Sequence, residues 1–210
     1  AHPELEGIEF YPDQAEKTLV LTSDAVQNVL TFTYSSFRHA DIKIHFVDVT
    51  GSRIAGDDLQ RLKVGRTFTL NRTPVEGWEL YKAVEGSTAD GAAAGSEYKI
   101  TDQIAGSGLE FTLVYRKKAV ITALSASRQY DGTALKLPEG QVRAEGLLDG
   151  HSLASVGFDY ANADAGDGRL ESGIATVTPK DAVIEGAPAT DYYSIRYISG
   201  TLEVTKINVT

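Results

Sequence analysis

The chain of 210 residues has no cysteine and no methionine. Without cysteine there are no disulfides, no thiolate zinc or iron–sulfur ligands and no cysteine nucleophile. Without either sulfur residue, the chain also lacks the two readily oxidised side chains. A disulfide-free chain fits an intracellular protein, and equally a bacterial surface protein that folds outside the cell without disulfide machinery. Apolar runs never approach the ~18–20 residues of a membrane span, which argues against membrane insertion. Positive charge is scarce: 20 Lys and Arg against 29 Asp and Glu give a net charge of −9. That balance removes the electrostatic footprint of a nucleic-acid partner and repels anionic lipid and sialylated or sulfated glycans. A glycan bound here would have to be held by stacking and hydrogen bonds.

Helical periodicity is also nearly absent. Only 57–64, DDLQRLKV, carries it: Leu59 and Leu62 stand at i, i+3, and Asp57 and Asp58 suit a helix N-terminus. The dominant period is two. TLVLT (18–22), NVLTFTY (28–34), IKIHFVD (42–48), TFTL (67–70), YKIT (98–101), LEFTLVY (109–115) and AVITAL (119–124) read as strands. So do LASVGFDY (153–160), IATVT (174–178), YSIRYI (193–198) and TLEVT (201–205). The expected fold class is mainly β: tandem small β domains, β-sandwich or β-grasp-like, in an elongated arrangement. Length and a composition of 42% hydrophobic and 23% charged residues suit one large domain or two smaller ones.

YSIRYISGTLEVT reads as a hairpin closed by Ser199-Gly200. Tyr197 would face Leu202 and Ile195 would face Val204 on the apolar side. Arg196 would face Glu203 and Ser194 would face Thr205 on the other, each pair contributing about 0.2–1 kcal/mol.

An internal echo sets the domain boundaries. KTLVLTSDAVQNVLTFTY (17–34) and EYKITDQIAGSGLEFTLVY (97–115) share a short strand, a small polar loop and a longer strand ending in tyrosine. Tyr34 and Tyr115 lie 81 positions apart, too long a period for a solenoid. The layout predicts 1–38 as the tail of a preceding unit, then domains 39–118 and 119–210. The joints SSFRHAD and Arg116–Ala119 are short, predicting little swivel and a stiff rod. The opening AHPELEGIEF carries no signal peptide or anchor and reads as a cut from a longer protein.

The span 40–118 resembles the mucin-binding-protein repeats of bacterial surface adhesins, through IKIHFVDVTG (42–51), GWELY (77–81) and LEFTLVY (109–115). Residues 17–35 resemble the end of a preceding repeat. Residues 119–206 resemble the Tyr-Asp-Gly repeats of similar proteins, through ITALSASRQYDGTAL (121–135), GLLDGHSL (146–153) and DYYSIRYISGTLEVTK (191–206). Two departures stand out: Trp78 occupies a usual tyrosine position, and STADGAAAGSE (87–97) is a long Ala-rich loop. The resemblance implies a bacterial cell-surface location with wall anchoring in the whole protein. It also implies adjacent repeats as neighbours, and host mucin or another glycoprotein as partner. Many such repeats are only stalk, so the ligand does not follow from the fold.

Candidate sites are few. Tyr130-Asp131-Gly132 reads as a corner, with Gly132 and Asp131 in turn roles. Asp41, Lys43 and His45 share a solvated face beside inward Ile42, Ile44 and Phe46, with His39 and His45 flanking the strand start. His151 follows an Asp149-Gly150 turn, and His2 is the fourth histidine. NADAGDG (162–168) departs from the calcium-loop order, Gly166 standing where a ligand is needed, and reads as a polar turn. Trp78 and Tyr81 are the candidate ligand-binding pair, an aromatic platform for sugar; alternation puts Trp78 with Leu80 inward and Tyr81 with Glu79 outward. Tyr192 and Tyr193 should point oppositely, one to solvent. Asn28, Asn71, Asn162 and Asn208 are the asparagines an isopeptide cross-link could use. No hydrolase, zinc-protease or phosphate-loop motif occurs. The expectation is no catalytic residues, metal or cofactor, and a non-catalytic adhesin or stalk module. A mucin-glycan-binding module and an accessory region of a surface glycosidase are the alternatives, an intracellular enzyme the remotest.

Overall fold

The computed structural model describes residues 8–12, 18–23, 28–31, 34–129, 141–161 and 173–205, without the side chains of 8–12 and 34–37. The chain is mainly β and divides into two compact units. One comprises Ala1–His45, Gly56–Arg72 and Ala83–Thr112; the other comprises Phe46–Ala55, Thr73–Lys82 and Leu113–Thr210.

In the first unit, β1 (Ile8–Pro12) lies antiparallel to the start of β2 (Tyr34–Asp48). Further along, β2 pairs antiparallel with β3 (Asp58–Lys63), Ala40 opposite Leu62 and Ile44 opposite Asp58. β4 (Thr67–Thr69) follows, then β5 (Trp78–Glu85), which ends in this unit. β6 (Glu97–Lys99) pairs with β4, Phe68 opposite Tyr98. A single helical turn, α1 (Asp102–Ser107), leads into β7 (Leu109–Ala123), which pairs with β2 and β5. Alternation works as expected in β2: Ala40, Ile42 and Ile44 are buried while Asp41 is exposed. They join Phe68, Leu70, Val84, Ile100 and Phe111 among the unit's buried side chains, with Phe68 stacked on Phe111 at 5.6 Å. β7 is different: Phe111 to Tyr115 are all buried, as in a strand covered on both faces.

Several expectations change here. DDLQRLKV is not helical: the β2 ladder captures it as β3, and Leu59 and Leu62, on opposite faces of a strand, part company, Leu59 being 72% exposed. The helix falls instead in the echo's polar loop. Thr101 caps it, its Oγ1 accepting from Ile104 N at 3.3 Å, and Gly108 ends it at φ 74. TLVLT and residues 28–31 of NVLTFTY are irregular, with Val20 and Leu21 exposed; Asn28 exchanges side-chain hydrogen bonds with the Thr22 backbone instead of a ladder forming. Neither joint is a loop. Residues 34–41 and 116–119 are strand, so His39 and His45 both sit inside β2.

The second unit takes β7 from Leu113 onward and adds β8 (Ala126–Gln129), β9 (Val142–Glu145), β10 (Ser152–Tyr160), β11 (Gly173–Glu185), β12 (Tyr193–Ile198) and β13 (Gly200–Thr205). β9 pairs antiparallel and β12 parallel with β7. A separate four-stranded sheet runs β10-β11-β13-β8, with β13 antiparallel to β11 and parallel to β8. The expected hairpin does not exist. β12 and β13 are not partners; the chain passes from one sheet to the next at Ser199, and Gly200 packs so close to its neighbour that a Cβ would meet the Ala123 carbonyl oxygen at 2.4 Å. Ala123, Ala175, Val177, Leu202 and Val204 form one buried cluster, backed by Phe158 and Tyr160. Ala119, Tyr192 and Tyr193 form another with Trp78, Ile184 and Ile195 against them.

Candidate functional site

The DVTGS turn after β2 is built around one carboxylate. Asp48 is 4% exposed, and its Oδ1 accepts from Thr50 N at 2.8 Å, Thr50 Oγ1 at 2.6 Å and Ser52 N at 3.0 Å. Its other oxygen accepts from the Tyr192 hydroxyl at 3.3 Å. Three donors of the turn are thereby satisfied by a carboxylate that would be costly to bury unpaired. Tyr192 and Tyr193 are both buried, correcting the expectation that one faces solvent. Tyr192 lies in a bend before β12, its N–H donating to the Ala189 carbonyl at 3.1 Å, so strand alternation does not govern it. Burial, reinforced by the Asp48 carboxylate, pushes the Tyr192 phenol up to about 12. The Tyr193 hydroxyl accepts from Leu148 N at 3.1 Å and pairs with His151 Nδ1. His151 itself sits edge-on to both tyrosine rings.

Trp78 opens β5 and packs against this cluster, its ring 6.1 Å from that of Tyr192 at 71°. Lys117 Nζ lies 5.2 Å from the indole centroid. Tyr81, 48% exposed, projects from the opposite face of β5, where the Arg116 guanidinium stacks 3.7 Å above its ring. Asp191 holds that guanidinium at 3.0 Å, and next along the face Ser194 Oγ donates to Glu79 at 2.9 Å. Trp78 and Tyr81 therefore do not converge on one surface. Consecutive cations of β7 serve the two faces of β5, one to each ring.

In the other unit a groove of about 660 Å³ is lined by Asp41, Lys43, Leu59, Arg61, Ser107 and Glu110, among others. Its two cations are ion-paired: Arg61 to Asp41 at 3.5 Å and Lys43 to Asp57 at 3.4 Å. His45, beside them, is far less solvated than its face predicted, with 14% of its side chain exposed. Its Nδ1 lies 3.1 Å from Asp57 Oδ1, within hydrogen-bond reach of that carboxylate. Its Nε2 is 4.0 Å from Glu110 Oε1. Asp57, read from sequence as a helix-start residue, is thus the ion partner of β2. Its partners Lys43 and His45 lie 14 and 12 positions away, and no local pattern announces such a pairing. Arg116, Lys117 and Asp191 escaped notice for the same reason.

Among the described residues no three metal-ligating side chains cluster, and no helix is long and apolar enough to cross a membrane. Asn71 is exposed. Tyr130-Asp131-Gly132, 162–168, His2, Asn162 and Asn208 lie outside the described residues. Compared with known proteins, the chain matches no family model and no curated protein.

Proposed function

We propose that the chain is part of a non-catalytic adhesin or stalk on a bacterial cell surface, extending or presenting a surface for host mucin or another glycoprotein. The observation that carries this reading is the occupation of both candidate sugar platforms by the chain's own groups. Trp78 is tied edge-on to Tyr192 with Lys117 beside it, and Tyr81 lies under Arg116, itself held by Asp191. A glycan would have to displace an ion-paired guanidinium to stack there. The groove's two cations, Lys43 and Arg61, are likewise engaged in ion pairs with Asp57 and Asp41, which favours a structural face over a reaction centre. The resemblance of 40–118 and 119–206 to adhesin repeats points the same way.

Trp78 is the only tryptophan, so its fluorescence reports this cluster alone. Titration with mucin and with mucin-type oligosaccharides is expected to give no saturable change. A saturable change, lost on mutating Tyr81→Ala, would replace the stalk reading with a glycan-binding module.

A further inference from the structure

β7 and β12 run in the same direction, and so do β8 and β13. The partners keep one sequence offset, 76, on both sides of the passage between sheets: Ala119 faces Ile195, Ile121 faces Tyr197, Ala126 faces Leu202 and Arg128 faces Val204. The two chain segments therefore travel side by side through one sheet, shift together and continue side by side through the next. The passage is itself bonded, Thr201 N donating to Ser125 Oγ at 3.0 Å. At the start of the pair, Lys117 N donates to the Tyr192 carbonyl at 2.9 Å.

In a parallel pair the slanted bonds are evenly spaced along both strands. Tension along the chain enters β7 at its N-terminal end and leaves β13 at its C-terminal end, which are opposite ends of the paired run. The strands must then slide past one another, loading every bond together. Tension at one end of the run would open the bonds singly. Sliding also drags Ile121, Leu202 and Val204, each no more than 3% exposed, out of register with the side chains they pack against. We propose that this paired run is a shear clamp and that the second unit's task is to bear tension along the chain. The source of that tension rests on the stalk reading above.

The test is single-molecule pulling on the full chain, whose lack of cysteine allows unambiguous thiol handles. Handles at Lys118→Cys and Thr205→Cys, both exposed positions, apply shear; handles at Gln129→Cys and Thr205→Cys, register partners at one end, peel the pair. Released length, about 3.3–3.6 Å per freed residue, identifies the event. At one pulling speed the shear geometry should unfold at a force at least about twofold that of peeling, since forced unfolding follows the barrier along the loaded direction. Equal forces, or a lower force in shear, overturn the clamp. Lys118→Cys with Glu203→Cys, against Ser127→Cys with Glu203→Cys, repeats the comparison if Thr205→Cys does not fold, with the same readings. Saturable glycan binding would sink the stalk reading and leave the force ratio standing; equal forces would sink the clamp and leave the titration untouched.

Discussion

Asp48 is the side chain on which most depends locally, because three donors of its own turn and the Tyr192 hydroxyl converge on it. Asp48→Ala removes the acceptor and leaves Tyr192 buried without a partner, so the expected loss is about 2–4 kcal/mol. Asp48→Asn keeps one oxygen for the turn and should cost less than half as much; denaturant unfolding of the three proteins checks the order. The tyrosines give a second residue-scale prediction. Burial pushes Tyr115 up to about 12, and Tyr192 is raised to about 12 by burial with Asp48 beside it. The unfolded chain releases these protons near 10, the folded chain near 12, so between those values the native state holds protons that the unfolded state has lost. Stability should fall as pH rises through that window. A pH series of unfolding midpoints, with tyrosinate absorbance followed in parallel, should show the decline, with Tyr115 and Tyr192 among the late-ionising tyrosines.

At the level of elements, the sequence told which residues face inward more reliably than which strands meet. The Ser199-Gly200 stretch shows why. In a hairpin with a two-residue loop, odd positions before the turn share a face with even positions after it. A strand that shifts phase by one residue as it changes sheets gives the same parity. Tyr193, Ile195 and Tyr197 turn inward, then Gly200, Leu202 and Val204, so the predicted apolar face is right and the predicted pairing wrong. β7 makes the same shift, from Ala119, Ile121 and Ala123 to Ala126 and Arg128. Parity carries no record of partner or direction. Tertiary pairing likewise decided β3, where the i, i+3 leucines and two aspartates satisfied a helix template while the open side of β2 supplied a ladder. At the candidate site, the opposite facing of Trp78 and Tyr81 was legible from alternation. Their cations were not, since Arg116 and Lys117 read as an inter-domain joint and Asp191 lies 110 positions beyond Tyr81.

For the whole molecule, two compact units each have their own buried side chains, and the described residues of the second include one cluster around Leu202 and one around Tyr192. The Asp48 turn and the start of β5 belong to that second unit although they precede residue 118, where the repeat-like spacing predicted a boundary. The shear-clamp proposal and the absence of a hairpin both follow from a single feature, the parallel run of fixed offset through both sheets. Disulfide trapping in the otherwise cysteine-free chain tests that feature most directly. Thr122 and Ile198 are register partners, within the Cα separation a disulfide spans. Thr122→Cys with Ile198→Cys should oxidise rapidly and completely within the monomer, and Arg196→Cys with Glu203→Cys, the pair a hairpin would place side by side, should not. Rapid closure of the second pair and none of the first would contradict the account.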